Sequence, residues 1–360
     1  MNVYRLRTLA LPAIFLACSI VLPGCMDIYE MKHQSFIAAI GLDRTEDNHI
    51  KVSLLELLLD TNQQGGSGQS GQGDQSNNAK VISTTCTFFP ECLNRLQNQL
   101  AGKLNLNQTQ YILFGKKLLE SGVKPYIEYF YHIAQMEQTV KVFATDQKMD
   151  EFLQNDRGKL LNQLIGGIEF HPFVFNVEMW EFAPKIYTQL RSAVVSSLVI
   201  RGNTLNSNGI FLLKESKLGM KLPVDDALLV HLLIEDKAND ITLTFQEQNI
   251  AYQIRKYSVN MQVTPQSADL FVRINGWILN NHDEKVHGSL NDLEGTISKE
   301  ISNRLRLIMD KAQSKGVDFL GIGERFRQKN WDSSKWKDRL KELNINIHVD
   351  AKVLSGKGSQ

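Results

Sequence analysis

Apolar positions recur along the chain with two periods, and the alternation between them divides it into elements. Ser35 to Asp43 and His49 to Asp60 read as two strands joined by a turn at Arg44–Asn48, and Val81 to Thr87 as a third. From Cys92 to Leu104 the apolar residues Cys92, Leu93, Leu96, Leu100 and Leu104 fall at helical spacing, the mark of one buried face. Tyr111 to Phe114 predicts a short buried strand ending at Gly115. Lys116–Ile133 and Met149–Leu164 read as helical, with a strand over Thr139–Ala144 between them. Beyond residue 190 the texture changes. Ser196–Ile200 and Gly209–Leu213 predict strands around a turn at Gly202–Asn208, and Val224–Leu233 a short helix. Strict alternation follows in four runs, at Ile241/Leu243/Phe245, Ile250/Tyr252/Ile254, Val259/Met261/Val263 and Leu270/Val272/Ile274. Between Ile254 and Val259 it slips by one, which marks a bulge or a turn. Leu293, Ile297, Ile301, Leu305, Ile308 and Ala312 form a single stripe on a long helix, with Gly316 suited to its C-cap. Ile345, Ile347, Val349, Ala351 and Val353 alternate with polar residues as a half-buried final strand.

These elements predict an α+β, multidomain chain with mixed or antiparallel sheets, each covered by helices, and a long helix in the carboxy-terminal part. The expected divisions are residues 1–24, a 25–190 amino-terminal region and a 191–360 carboxy-terminal region, which has room for two subdomains. An antiparallel sheet under the long helix is the simplest packing for the second region. Within the first, Thr61 to Ala79 is rich in Gln, Gly, Ser and Asn with one charge, Asp74. Such a composition buries too little apolar surface to offset its ordering entropy, which predicts a flexible insert.

The amino end changes the picture most. Arg5 and Arg7 precede an apolar run from Leu9 to Val21, broken only by Pro12 and Ser19. Spanning a bilayer takes roughly 20 residues, so this shorter run reads as a signal-peptide core. Leu22-Pro23-Gly24-Cys25 follows as a lipobox, with an apolar residue three positions before the cysteine and a small one directly before it. That pattern predicts lipidation of Cys25: the sulfur takes a diacylglyceryl group, and cleavage occurs on its amino side, where only a small residue fits. Removing residues 1–24 takes two arginines from 40 basic residues and leaves 39 acidic ones untouched. A near-neutral mature chain supplies no global field for nucleic acid or for an anionic membrane surface, so acyl chains must hold it at the membrane. Cys86 and Cys92, six apart with Pro90 between them, read either as a disulfide or as two partly buried thiols around a strand-to-helix turn.

The residues carry no recognisable catalytic pattern. Eight histidines are scattered without HExxH, there is no Gly-x-Ser-x-Gly elbow, and no metal-ligand spacing involves the cysteines. The reading is therefore a non-enzyme without metal or cofactor. Gly321-Ile322-Gly323 is a fragment of a dinucleotide fingerprint, but it follows a helix rather than a strand; it reads better as a tight loop carrying Asp318 and Phe319 toward the sheet. Asp43 reads as a strand-end residue accepting backbone hydrogen bonds in its turn. Trp331 and Trp336 stand in a polar, charged stretch, where aromatics serve either as anchors for a partner or as packing of the terminal segment onto the core.

In order and spacing these features resemble the Ger(x)C family, the lipoprotein C subunits of nutrient germinant receptors of spore-forming bacteria. The resemblance is carried by Cys25-Met26-Asp27 with Glu30, by Ile40-Gly41-Leu42-Asp43, and by Ile112-Leu113-Phe114-Gly115-Lys116 running into Gly122-Val123-Lys124-Pro125-Tyr126. At the carboxy end it is carried by the long helix, Asp318-Phe319-Leu320-Gly321-Ile322-Gly323, Trp331, Trp336 and the last strand. It departs from the family where Met26 follows the cysteine in place of the frequent Trp, at His132-Ile133-Ala134-Gln135, where an arginine is common, and at Lys329-Asn330, where a proline often stands. The resemblance implies a multidomain lipoprotein on the outer face of the spore inner membrane, assembled with two integral membrane subunits into a receptor that triggers germination. The other class open to the residues is a stand-alone solute-binding lipoprotein that captures a nutrient for a transporter. The lack of βαβ alternation with a parallel sheet in the sequence pattern speaks against it.

Overall fold

The computed structural model describes residues 33–58, 79–132, 136–154, 173–202, 204–234, 241–279 and 289–354. Cys25 with the residues before it, nearly all of the 61–79 stretch, and the second half of the helix expected over Met149–Leu164 lie outside the described residues.

Ten strands build the first sheet among the described residues: β1 (Gln34–Arg44), β2 (Ile50–Leu57), β3 (Ala79–Cys86), β4 (Lys103–Asn105), β5 (Tyr111–Gly115), β6 (Lys141–Thr145), β7 (Val177–Glu178), β8 (Val194–Arg201), β9 (Thr204–Lys214) and β10 (Lys217–Leu222). Their order is β10-β9-β8-β6-β5-β1-β2-β3, with β4 beside β1 and β7 beside β6. The centre of the sheet is parallel, β1 with β5, β5 with β6 and β6 with β8, while both flanks are antiparallel. This corrects the expectation that βαβ alternation is missing. Strands β5 and β6 are joined through α2 (Lys116–Ser121) and α3 (Lys124–His132), and a parallel pair requires such a crossover. The period-3.6 stretch over Lys116–Ile133 is thus two helices, broken at Gly122 with φ +112°, and Pro125 stands in the first turn of the second, where its missing N–H costs nothing. The helix expected over Cys92–Leu104 is α1 (Phe89–Gln97). It stops because Leu104 is drawn into β4, where its N–H donates to Gln97 Oε1 at 2.8 Å.

The second sheet has the order β11 (Thr242–Phe245), β12 (Ile250–Val263), β13 (Ser267–Ile278) and β14 (Asn344–Val353). The register of β12 on β13 shifts between Ile254 and Lys256, so the slip in alternation is a bulge within one long strand. Strand β14 runs parallel to β13, which corrects the purely antiparallel packing expected for this half. The reason is α7 (Leu290–Lys315), which returns the chain to the start of the sheet before β14 begins. Ser289 and Asp292 form a reciprocal capping box at its start, and Gly316 at φ +68° closes its end. The buried stripe Ile297, Ile301, Leu305, Ile308 and Ala312 faces the sheet. The helix also serves the sheet edge, since Ala351 N–H donates to Ser298 Oγ (2.9 Å) and Val353 N–H to Glu294 Oε1 (3.0 Å); an unpaired edge would otherwise template another chain.

The strands after residue 190 do not leave the first sheet: β8, β9 and β10 complete it. One apolar cluster contains side chains of both sheets, from Ile40 and Val195 through Leu212 to Tyr252 and Ile301. A smaller one lies on the other face of the first sheet, around Leu113, Phe143 and Phe152, the last carried by α4 (Met149–Gln154).

Candidate functional site

Two of the sequence motifs meet on neighbouring strands. Leu42 of β1 pairs with Phe114 of β5, which sets Asp43 against Gly115. The Asp43 carboxylate accepts from Arg44 N–H at 2.8 Å and from the backbone of Leu118, so it caps α2 from a neighbouring strand. A Cβ on Gly115 would collide with that carboxylate. Burial raises the Asp43 pKa, against the backbone donors of Arg44 and Leu118 and the charges of Lys117 and Lys51. Asp43 thus takes backbone hydrogen bonds as expected from its place at a strand end, and one of them comes from a helix in another motif.

The denser constellation lies where the chain leaves α7. Asp318 is buried at 3% exposure in the turn between α7 and α8 (Ile322–Gln328). Its Oδ1 accepts from Ile322 N–H (3.0 Å), and its Oδ2 from Gly323 N–H (2.8 Å) and Trp336 Nε1–H (3.0 Å). Its own backbone makes a reciprocal pair with the segment just before β8: Ser192 N–H donates to Asp318 O at 2.7 Å, and Asp318 N–H to Ser192 Oγ at 3.0 Å. Burial pushes the carboxyl up to about 6, and the donors of Gly323, Ile322 and Trp336 hold it from rising further. Gly321 takes the left-handed conformation, φ +69°, that opens α8. Gly323 has no room for a side chain, since a Cβ would stand 2.7 Å from the Trp336 indole. Gly321-Ile322-Gly323 is therefore the loop that wraps Asp318.

Trp336, at the start of α9 (Trp336–Glu342), is 1% exposed and packs with Phe326, Leu340 and Val263. The reading of this indole as an accessible partner anchor is corrected: its ring fills the core and its N–H donates to Asp318. Trp331 is half-buried, edge-on to Phe326 at 5.1 Å with Lys329 Nζ 4.8 Å from its ring centroid. Cys86 and Cys92 form a disulfide with Cα atoms 5.5 Å apart, joining the end of β3 to the first turn of α1. Cys25 lies outside the described residues.

Beside the Asp318 turn a cleft of about 540 Å³ opens between β12, α8 and the end of α6 (Val224–Ile234). Arg191, Tyr257, Met261, Phe319, Glu324 and Arg325 are among the residues that line it. Arg191 Nη1 and Glu324 Oε2 are 3.3 Å apart. Lys185 of α5 (Met179–Ile186) is half-buried beside this pair; burial and then the Arg191 charge lower its pKa, opposed by Glu181 and Glu324. Pattern reading missed Lys185, Arg191, Ser192 and Glu324. They lie outside any motif and matter only because residues about 130 positions apart become neighbours. Among the described residues, no group of three or more His, Cys, Asp or Glu side chains is placed to hold a metal ion.

Comparison with known proteins accounts for nearly all of this framework. Residues 27–200 match the spore germination protein N-terminal domain, and residues 208–356 match the spore germination B3/GerAC-like C-terminal domain. The chain belongs to the Ger(x)C family. Among its relatives, the spore germination protein GerQC of Bacillus cereus is 21% identical over 94% of this chain and 97% of its own length. The spore germination protein KC of Bacillus subtilis (strain 168) is 23% identical over 96% of this chain and 95% of its own. The crystal structure of the GerBC protein superposes with a TM-score of 0.56 at 15% identity, covering 88% of this chain and 97% of that one. The α+β fold with its long carboxy-terminal helix is thus shared with a solved structure, and the Ger(x)C motifs acquire physical roles here: Gly115 makes room for a carboxylate cap, and Asp318 ties the carboxy-terminal turn to the segment that leads into β8.

Proposed function

We propose that this Ger(x)C protein is the lipid-anchored C subunit of a membrane nutrient germinant receptor, required for germination in response to nutrients. In this reading Cys25 carries the acyl groups and holds the chain on the outer face of the spore inner membrane. There it acts as a structural and interaction subunit beside two integral membrane subunits of the same receptor. The observation that carries the reading is the match of both germination domains in register over residues 27–200 and 208–356, beginning two residues after the lipobox cysteine. Two further points support it. Among the described residues no helix is long and apolar enough to cross a membrane, and a near-neutral chain offers little electrostatic attraction to a membrane surface, which suits a lipid anchor. The fold of the described residues also lacks the two doubly wound lobes usual for a solute-binding lipoprotein.

The test has a chemical and a physiological arm. Mass spectrometry of the mature amino terminus is expected to show acylated Cys25, and Cys25→Ala to yield no lipid adduct. Deleting the gene is expected to abolish the response to one nutrient while uptake is unchanged, and pull-down from spore membranes to recover two integral subunits. Normal germination with every nutrient would sink the receptor reading, and an unacylated wild-type terminus the anchor.

A further inference from the structure

Part of the second sheet ends in a bare strand edge. Strand β12 is 14 residues long, but β11 pairs only with Ile250 to Gln253, and Ile254 N–H adds one bond, to Ile241 O at 2.8 Å. The bulge between Ile254 and Lys256 follows, and beyond it no described strand lies beside β12 on that side. The alternation of the ladder tells which backbone groups are left over. At the hairpin end Thr264 N–H donates to Ser267 O at 2.8 Å, and hydrogen-bonded pairs alternate with non-bonded ones along antiparallel strands. Ser258, Asn260 and Gln262 therefore turn their backbone groups to β13, whereas Val259, Met261 and Val263 turn theirs outward. Two side-chain donors agree with that direction: Arg325 Nη1 reaches Met261 O at 3.4 Å, and Lys329 Nζ reaches Val263 O at 2.8 Å. Val259 N–H, Val259 C=O and Met261 N–H have no partner among the described residues.

This edge is one wall of the 540 Å³ cleft. Ser258, Val259 and Met261 line it, facing Glu324, Arg325 and Gln328 of α8. Its exposed lining is mainly polar, as uncovered strand backbone makes it. Edges with unmet donors and acceptors are templates for one more strand, and lysine is a common block against it. Here the block of Lys329 covers Val263 and stops short of Val259. The side chains around the edge add a charge preference. Arg191 is held by Glu324 at 3.3 Å, whereas Arg325 and Lys329 reach only the two carbonyls and, for Lys329, the Trp331 ring. Two cations without a carboxylate partner among the described residues thus flank the bare stretch.

We propose that this edge takes up an extended, acidic segment of a partner protein as an added strand, its backbone pairing with Val259 and Met261 and its carboxylates meeting Arg325 and Lys329. A second copy of this chain is the poorer occupant, because its strands carry a sheet behind them and α8 stands across the cleft where that sheet would lie. The inference concerns the isolated chain and does not depend on the receptor assignment. The experiment follows amide hydrogen exchange by NMR on the full-length chain in detergent, with the peptide acetyl-Val-Glu-Val-Glu-Val-Glu-amide as probe. In the free chain Val259 and Met261 are expected to exchange fast beside slow Ser258 and Asn260, and saturating peptide to slow them. A fully N-methylated peptide, which keeps the carboxylates and loses every backbone donor, should not bind, and a peptide with Lys for each Glu should bind more weakly. Arg325→Glu is expected to weaken the acidic peptide about ten-fold or more, the size of one charge-assisted hydrogen bond, and to favour the lysine peptide; Arg325→Lys should retain the wild-type preference. Slow exchange at Val259 and Met261 in the free chain, no change there at peptide saturation, no saturation, equal binding of the N-methylated or the lysine peptide, or an affinity unmoved by Arg325→Glu each overturn the proposal. Protection of both amides together with a dimer in sedimentation would assign the edge to a second copy and overturn it as well.

Discussion

A carboxylate out of contact with water persists as an anion only where donors replace the water it lost, and three N–H groups do so at Asp318. The replacement is incomplete, because its pKa stands at about 6 against 3.8 in the ordinary group. Between these values the folded chain holds a proton that the unfolded chain has released. The stabilising contribution of this group is therefore full below about pH 4 and is lost as the pH rises through about 6, a change of about 3 kcal/mol. Other carboxylates shift the opposite way, Asp146 with its Lys221 partner among them, so the total profile does not isolate Asp318. The difference between wild type and Asp318→Asn does. Urea unfolding from pH 4.5 to 7.5 is expected to show wild type losing stability relative to the variant as the pH rises, with the difference flat above about pH 7. A difference independent of pH would mean that Asp318 is not buried as described. Trp336→Phe removes one donor that holds the pKa down, so the same loss should move to higher pH, with a destabilisation of about 2 kcal/mol from the smaller ring and the lost hydrogen bond. At this scale the sequence announced Asp43, since a carboxylate at a strand end before a turn has few other uses. It left Trp336 open between anchor and core, because burial of an indole in a polar stretch depends on residues far away.

Among the elements, α1 and α2 are short helices held by devices outside themselves. Helix α2 has six residues and no side-chain cap of its own; Asp43 supplies the cap across the sheet. Gly115→Ala is expected to cost about 2 kcal/mol or more, because overpacking must displace a buried carboxylate and its hydrogen bonds. Combining it with Asp43→Gly in a double-mutant cycle should show strong coupling, since the clash vanishes with the carboxylate; additive losses would sink this account. The disulfide from β3 to α1 spans six positions, and closing so short a loop is worth about 2 kcal/mol on the chain-entropy argument. Cys86→Ser with Cys92→Ser should lower the urea midpoint accordingly, and a reductant should do the same to wild type. Elements with long, regular patterns were legible: the α7 stripe with its closing glycine at Gly316, the final strand, and even the bulge after Ile254. Those that escaped were short, such as β4, β7, α5, α8 and α9, where a turn or two carries too little periodicity and long-range pairing decides the conformation. The direction of β14 also escaped, because alternation gives the face a residue occupies and is silent on whether its neighbour is parallel.

For the whole molecule, the sharpest consequence concerns where it divides. A change of texture at residue 190 separates two sequence regions, yet the first sheet takes its last three strands from beyond that point. In β9 and β10 the side chains of Ile210, Phe211, Leu212, Leu213, Met220 and Leu222 are all within 2% of complete burial. At about 1.5–3 kcal/mol for each fully buried large apolar side chain, they supply roughly 9–18 kcal/mol of gross burial energy. A domain's entire net stability is about 5–15 kcal/mol, so a fragment ending at Leu190 cannot spare them. It would also leave the end of β6 around Ala144, which β8 covers, open to other chains. The complementary fragment loses β6, the strand that joins β8 to the rest of the first sheet. We therefore expect residues 25–190 and 191–360, produced separately, to show no cooperative urea transition and to aggregate. A fragment ending at Leu222 retains every strand of the first sheet and should be the more soluble amino-terminal piece. Mixing 25–190 with 191–360 under refolding conditions should restore a cooperative transition, because the sheet needs both chains but not the peptide bond between them. Cooperative unfolding of 25–190 alone, with the stability of the intact chain's first transition, would show that the strands beyond residue 190 are an addition to that region rather than part of its core.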